Sequence, residues 1–212
     1  MTQTKIFKAG EMGPQEVAAV AADLAGGAVA VFPTDTVYGI GCSAFCETSV
    51  RQIYTLKKRP FSQPLQILIE DVAMAQQVGV FSAGAVRLAK MYWPGALTLI
   101  VPPVPSARAW TCGAKGLGIR VPSYPLLVQI LHALKGPLCS TSANLHGQAV
   151  LTDETKLEKT FDSKTDIIIK GGTLSPVASS VVDLTDPAHP RLLRQGAITR
   201  EQLEHCLGQI LE

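Results

Sequence analysis

Three short segments gather most of the side chains that could bind a polar ligand. They read PTDT at residues 33–36, KKR at 57–59 and STSAN at 140–144. Hydroxyl, carboxylate and amide groups at strand ends can hold a ligand on a rigid base, and neighbouring cations can capture phosphate oxygens. Each segment alone is also explained by local structure, because threonine and aspartate stabilise turns and cations complement a helix C-terminus.

A single arginine, Arg120, stands in the middle of the short apolar run GIRVP. A charge at such a position must be paired or face a cavity, so both a ligand carboxylate and an internal Asp or Glu are open as partners. The four histidines, at 132, 146, 189 and 205, lack the spacing of metal ligands. His146 stands beside STSAN, where it is as readily an exposed loop residue as a base.

Other reaction classes lack their motifs in this sequence. It contains no GxSxG nucleophile elbow, no Walker-type loop and no GxGxxG turn. The five cysteines include no CxxC pair, which argues against a zinc site and a disulfide framework and favours reduced cysteines in the cytoplasm. The formal charge of +2 is too mild to indicate nucleic-acid binding by itself.

The length and composition predict one globular domain over residues 1–212. The first ten residues have no apolar core typical of a secretory signal. The long uncharged run near residue 96 is interrupted by Pro102, Pro103 and Pro105, so we expect no membrane-spanning segment.

Apolar periodicity predicts helices that alternate with short strands. Helices are predicted over residues 14–25, 47–57, 71–78, 82–92, 126–134, 153–161 and 199–211. Strands are predicted over residues 28–32, 37–42, 65–69, 96–101, 118–121, 137–140, 166–170, 180–184 and 191–194. Several strands lie too close in sequence for βαβ crossovers, which predicts an α/β (α+β) fold with a twisted mixed sheet. Residues 102–118 lack periodicity and are predicted to be either a lid or a surface loop.

Five segments, taken in order and at these distances, resemble the YrdC-type threonylcarbamoyl-AMP synthase family. They read PTDTVYGIG, LKKRP with the following PL, WPGALTL, IRVP and STSANLHG. The resemblance covers roughly residues 24–196, and the motifs are specific as a set although each alone is weak. It implies a single domain whose twisted mixed sheet, with parallel and antiparallel strands, surrounds a large positive cleft.

The resemblance also implies a reaction. Enzymes of this family join L-threonine, bicarbonate and ATP into threonylcarbamoyl-adenylate and release pyrophosphate. A downstream tRNA-modifying transferase complex then uses the product to modify the adenosine beside the anticodon. Mg²⁺ is expected on the ATP phosphates, held mostly by ATP oxygens and water and by no protein side chain.

The family motifs assign roles to particular residues of this chain. They imply catalytic roles for Lys57, Arg59, Ser142 and Asn144. They imply ATP contacts for Lys57, Arg59, Gln63, Gly116, Asn144, Thr152 and Arg194. They imply threonine contacts for Thr34, Thr36, Arg120, Ser142 and Ser179, with Arg120 on the carboxylate.

Three positions depart from the pattern of many relatives. Gln63 replaces an asparagine, Leu68 stands where many relatives have a histidine, and Ala178 replaces the glutamate before Ser179. These departures keep two alternatives open. One is a paralogue with another carbamoyl or adenylate substrate, and the other is a protein that binds tRNA or double-stranded RNA without catalysis.

Overall fold

Helices and strands alternate along the chain in a computed structural model that describes residues 3–145 and 147–212. Their contacts divide into two units, formed by residues 3–60 with 124–176 and by residues 61–123 with 177–212. Each unit has its own five described strands with parallel and antiparallel neighbours. The predicted mixed α/β class is therefore confirmed, whereas the assignment of one domain over residues 1–212 stays a prediction.

The first unit orders its strands β1-β8-β2-β3-β7. Strand β8 is parallel to both β1 and β2, whereas β3 is antiparallel to β2 and to β7. These strands are β1 (Lys5–Lys8), β2 (Ala30–Phe32), β3 (Gly39–Ser43), β7 (Leu138–Ser142) and β8 (Ile167–Lys170). The helices are α1 (Pro14–Ala25), α2 (Glu47–Lys57), α5 (Pro125–Leu134) and α6 (Glu154–Phe161). Helix α1 packs on α5, and α2 packs on β3.

The second unit orders its strands β4-β6-β5-β9-β10. Strand β4 is parallel to β6 and β5 is parallel to β9, and the other two neighbouring pairs are antiparallel. These strands are β4 (Gln66–Leu68), β5 (Leu97–Val101), β6 (Leu117–Arg120), β9 (Ser180–Asp183) and β10 (Arg191–Arg194). The helices are α3 (Val72–Val78), α4 (Ala83–Tyr92) and α7 (Arg200–Leu207). Helix α4 packs on α7 and on β5.

Two predicted strands start two residues later than expected, because backbone groups before them make other hydrogen bonds. Strand β2 begins at Ala30 because the Val29 amide donates instead to the Asp166 carboxylate. Strand β3 begins at Gly39 because the Val37 carbonyl accepts the Thr34 hydroxyl. The break that was predicted at Pro33 is confirmed, since β2 ends at Phe32.

Three other differences concern the ends of the chain and its central loop. Strand β1 was not predicted, because its four residues are mostly exposed and show no buried face. Helix α7 ends at Leu207, not at residue 211, because Gly208 adopts a φ of 70°. The segment 102–118 contains a 3₁₀ helix, Pro105–Thr111, with Ala107 and Thr111 buried, and its last residues belong to β6.

Glycines in β3 let three strands of the first unit approach closely. A Cβ atom at Gly39 would lie 2.8 Å from the Phe32 ring, and one at Gly41 would lie 2.5 Å from the Cys139 carbonyl oxygen. A side chain at either position would therefore push β3 away from β2 or β7. This packing places the residues that precede β3 beside the end of β7.

Candidate active site

Lys57 is the last residue of α2 and turns its side chain into the first unit. The helix stops there because Lys58 adopts the left-handed conformation, with a φ of 53°. Lys57 is only 2% exposed, although a lysine is almost never fully buried unless its ammonium is paired. Its ammonium donates to the Asn144 carbonyl oxygen at 2.7 Å, to Asn144 Oδ1 at 3.0 Å and to the Ser142 carbonyl oxygen.

Asn144 is oriented by several hydrogen bonds at the end of β7. Its Oδ1 accepts the Ser142 hydroxyl at 2.6 Å, and its Nδ2 donates to the Gln148 carbonyl oxygen at 2.6 Å. The intervening Ala143 amide donates to the Tyr38 carbonyl oxygen at 2.7 Å. The turn after β7 is therefore fixed by both backbone and side-chain contacts, so Lys57 and Asn144 keep a defined geometry.

The charge of Lys57 is poorly compensated by its surroundings. The oxygens it contacts are neutral amide and carbonyl oxygens, which carry no formal negative charge. Burial, together with the positive charge of Arg59, lowers the pKa of Lys57 to about 8. A cationic site of this kind favours an anionic ligand, because a negative group would relieve both effects.

Thr34 and Thr36 form a separate hydroxyl pair in the first unit. Both are buried, and their hydroxyl oxygens lie 2.9 Å apart. The Thr34 hydroxyl donates to the Val37 carbonyl oxygen at 2.6 Å and accepts the Thr36 amide at 3.1 Å. The hydrogen bonds of Thr34 are therefore those of a local turn. A local turn is one of the two explanations that the sequence left open for this segment.

A second cationic group lies in the second unit. Arg120 on β6 is 2% exposed, and its Nε donates to the Gly95 carbonyl oxygen at 2.9 Å. Arg194 on β10 donates from Nε to the Ser179 carbonyl oxygen at 2.9 Å and from Nη2 to Ser179 Oγ at 3.0 Å. Desolvation and the charge of Arg120 lower the pKa of Arg194, so the two guanidinium groups act on each other. Two neighbouring guanidinium groups favour a carboxylate or phosphate ligand.

The structure therefore collects the predicted residues into groups. Lys57, Arg59, Ser142 and Asn144 lie together in the first unit, and Arg120, Ser179 and Arg194 lie together in the second.

The remaining predicted residues lie elsewhere. Thr152 precedes α6, and its carbonyl oxygen accepts the Leu174 amide at 3.2 Å. Gln63 is exposed in the turn before β4. Gly116 is buried, and a Cβ atom there would lie 2.4 Å from Ile100 Cγ2. The site roles of all predicted residues remain predictions, and His146 lies outside the described residues.

The sequence did not point to several buried or half-buried polar residues next to these groups. The Tyr38 hydroxyl donates to the Gly172 carbonyl oxygen at 2.7 Å and accepts the Gly171 amide at 2.8 Å. Thr98 and Gln66 continue the hydrogen bonds of Ser179 across the second unit. Their only sequence signal is a polar residue within an apolar strand pattern, which does not reveal the partner.

The chain belongs to the Sua5/YciO/YrdC family. The family model, described as telomere recombination, matches residues 22–196. The chain is 37% identical over 199 residues to the threonylcarbamoyl-AMP synthase of Bacillus subtilis (strain 168). The matched region covers 92% of this chain and 57% of that protein. The chain thus spans just over half the length of that relative.

Solved structures support the same family assignment. Pyrococcus abyssi Sua5 complexed with L-threonine matches with a TM-score of 0.90 and 30% identity, over 99% of this chain and 62% of that one. Escherichia coli YciO matches with a TM-score of 0.87 and 26% identity, over 96% of this chain and 100% of that one. The resemblance that the five sequence motifs indicated is therefore confirmed.

Among residues 3–145 and 147–212, no group of three His, Cys, Asp or Glu side chains could hold a metal ion. Within the same residues, no helix has both the length and the apolar character needed to span a bilayer.

Proposed function

We propose that this protein is an L-threonylcarbamoyladenylate synthase. It forms threonylcarbamoyl-AMP and pyrophosphate from L-threonine, bicarbonate and ATP. The single observation that carries the proposal is the buried ammonium of Lys57, held by neutral oxygens of Ser142 and Asn144 beside the charge of Arg59. The names of the relatives and the threonine bound to Pyrococcus abyssi Sua5 support the substrate assignment.

The proposed chemistry requires alignment and charge neutralisation more than a protein nucleophile. The threonine amine and bicarbonate give a carbamate and water. A carbamate oxygen then attacks the α-phosphorus of ATP, and the bond between that phosphorus and the bridging oxygen breaks to release pyrophosphate. Such a step is accelerated mainly by cations that neutralise the phosphate oxygens and by groups that hold the reactants in line.

Each group of residues has a role in this proposal. Lys57 and Arg59 neutralise the triphosphate, and Ser142 and Asn144 position the nucleotide and threonine. The group in the second unit provides Arg120 for the threonine carboxylate. Gln63, Gly116, Thr152 and Arg194 contact the nucleotide, and Thr34, Thr36 and Ser179 contact threonine.

Magnesium fits this arrangement as a partner of ATP. The described residues offer cations and neutral oxygens around Lys57 and no cage of carboxylates, which suits an ion that arrives with the phosphates. When bound, Mg²⁺ would neutralise part of the phosphate charge.

A second candidate changes the amino acid and keeps the reaction. Leu68 is 1% exposed and apolar at the position where many relatives carry a histidine. It cannot supply a polar contact to a side-chain hydroxyl, which favours a paralogue with another amino acid substrate. Binding of tRNA or double-stranded RNA without catalysis has weaker support, because the formal charge is only +2.

Omission of single substrates tests the main proposal. The protein is incubated with Mg²⁺, ATP, bicarbonate and L-threonine, and pyrophosphate release is followed. We expect release only when all four are present. Release that depends on another amino acid would favour the paralogue, and no release with any amino acid, together with salt-sensitive RNA binding, would favour the RNA-binding alternative. Use of the product by a transferase complex and a cytoplasmic location belong to the same proposal.

A further inference from the structure

A row of hydrogen bonds in the second unit ends on Ser179. The Thr98 hydroxyl donates to Gln66 Oε1 at 3.3 Å and lies 2.9 Å from the Ser179 hydroxyl oxygen. Arg194 Nη2 donates to the same Ser179 oxygen at 3.0 Å. Thr98 and Ser179 are 4% and 3% exposed, so their hydroxyl groups depend on protein partners, with little access to water.

Gly118 explains how Gln66 reaches Thr98. These residues lie on β4 and β5, which are separated by β6, and strands are spaced about 4.8 Å apart in a sheet. A side chain on β6 would stand between them, but the residue there is Gly118. A Cβ atom at Gly118 would lie 3.4 Å from Thr98 Cγ2 and 3.9 Å from Gln66 Cβ, so the missing side chain leaves the space that the contact crosses.

The hydrogen atoms in this row can be placed by counting. A hydroxyl has one hydrogen and two acceptor positions, and a Gln side-chain oxygen only accepts. Thr98 gives its hydrogen to Gln66, so Ser179 must donate its own hydrogen to Thr98. Arg194 fills one acceptor position of Ser179. Ser179 therefore has one acceptor position left and no hydrogen to offer a ligand.

We propose that Gln66 and Thr98 are positioning residues that hold the Ser179 hydroxyl as an acceptor for the N–H of an α-amino acid substrate. The inference rests on the proposed function, in which Ser179 contacts threonine. The neighbouring Arg120 favours the carboxylate of the same class of substrate. An acceptor beside this cation distinguishes an amino acid from a carboxylic acid without an amino group.

Substitution of Thr98 tests this arrangement. Thr98→Val keeps the shape but removes the acceptor of the Ser179 hydrogen, so that hydrogen becomes free to point at the ligand N–H. We expect the Kd for L-threonine, measured by isothermal titration calorimetry, to rise about tenfold. Thr98→Ser keeps the hydroxyl and should leave the Kd within about twofold of the wild-type value.

A ligand without the amino group distinguishes a changed orientation of the Ser179 hydroxyl from general damage to the binding site. (R)-3-hydroxybutanoate has the carboxylate and hydroxyl of L-threonine but no nitrogen. It should bind more weakly than L-threonine, and its Kd should be the same in the wild type and in Thr98→Val. An equal loss of affinity for both ligands would show a merely structural effect and overturn the proposal. An unchanged Kd for L-threonine in Thr98→Val would overturn it as well.

Gln66 provides a second, independent variant if Thr98→Val folds poorly. Gln66→Leu removes the acceptor of the Thr98 hydrogen and should weaken L-threonine binding selectively, whereas Gln66→Glu keeps an acceptor oxygen and should not. An unchanged Kd in Gln66→Leu would overturn the role of Gln66. A wild-type protein that binds no L-threonine would instead overturn the proposed function, together with this inference.

Discussion

The ammonium nitrogen of Lys57 lies 3.0 Å from the side-chain oxygen of Asn144. These residues are far apart in sequence, one at the end of α2 and the other just after β7. The same Asn144 oxygen accepts the Ser142 hydroxyl, so one amide group joins the basic motif to the hydroxyl motif. This contact joins two segments that separately could each be explained by local structure.

Removal of the Lys57 ammonium should damage the use of ATP. We expect Lys57→Ala to lower kcat/KM for ATP by about 100-fold, because a preorganised cation at the reacting phosphates is lost. Steady-state pyrophosphate release with varied ATP checks this result, and circular dichroism checks the fold.

The neighbouring Lys58 gives a matched control. It is exposed and adopts a φ of 53°, which asparagine tolerates well. Lys58→Asn should therefore keep kcat/KM within about twofold of the wild-type value. Equal losses in both variants would mean that general positive charge, and not the buried ammonium, supports the reaction.

Binding of ATP should be coupled to proton uptake near pH 8. The pKa of Lys57 is lowered to about 8 by burial and by Arg59, so a large fraction of the lysine is neutral in the free protein at that pH. Phosphate charges favour the ammonium form and raise this pKa, so protons are taken up on binding. At pH 6 Lys57 is already protonated, so proton uptake by Lys57 on ATP binding should vanish.

Calorimetry in buffers with different ionisation enthalpies measures this uptake. At pH 8 we expect roughly half a proton per ATP from Lys57 in the wild type and none from this source in Lys57→Met. Identical uptake in both proteins would contradict a phosphate contact at Lys57.

The sequence predicted the bounds of single helices better than the contacts between residues that are distant in the chain. The bounds of α1 and α2 agree with the predicted ranges, because Pro14 favours a helix start, the apolar stripe is regular and Gly26 ends α1. The start of β2 was missed because it depends on Asp166, which is 137 residues away from Val29. Short-range patterns do not contain such long-range partners.

The same limit applies to the candidate site. Lys57, Ser142 and Asn144 were identified through ordered motifs, and the structure brings them into contact. Thr98 and Gln66 were missed because a threonine in a strand is ordinary, and only the absence of a side chain at Gly118 makes their contact available.

Tyr38 should stabilise the first unit through its hydroxyl. It is fully buried, and its hydroxyl bonds Gly171 and Gly172. Burial raises the pKa of Tyr38 to about 12, so this hydroxyl keeps its hydrogen throughout the neutral range. Tyr38→Phe leaves two backbone groups without their partner and should lower the free energy of unfolding by about 1–3 kcal/mol.

Chemical denaturation measures the effect of Tyr38→Phe, with Tyr92→Phe as the control. The Tyr92 hydroxyl donates to the Gln202 carbonyl oxygen at 3.0 Å in an exposed contact, so water can replace it. Its loss should change the free energy of unfolding by less than about 0.5 kcal/mol. A similar effect of both substitutions would contradict a special role for the Tyr38 hydroxyl.

Four of the five cysteines should react with thiol reagents in two classes. Cys112 is exposed and Cys46 is half-buried, and hydrogen bonds from Ser49 and Thr48 lower the pKa of Cys46. Cys42 is buried, which raises its pKa to about 12, and Cys139 is also buried. Because the thiolate is the reactive form, the lowered pKa of Cys46 favours its alkylation, whereas Cys112 is accessible because it is exposed. Both should be alkylated first at neutral pH.

Peptide mass spectrometry after brief alkylation distinguishes these classes. Cys42 and Cys139 should be labelled only after denaturation, which provides the internal control for complete reaction. Rapid labelling of Cys42 in the native protein would show that β3 and β7 open readily.

The most direct test of the proposed synthase reaction is the origin of the carbon in the product. The protein is incubated with L-threonine, MgATP and isotopically labelled bicarbonate, and the nucleotide products are separated by mass. We predict a threonylcarbamoyl-AMP peak that carries the label in its carbamoyl carbon, forms together with pyrophosphate and grows much more slowly in Lys57→Ala. ATP turnover without any labelled, threonine-containing adenylate would contradict the proposed synthase activity.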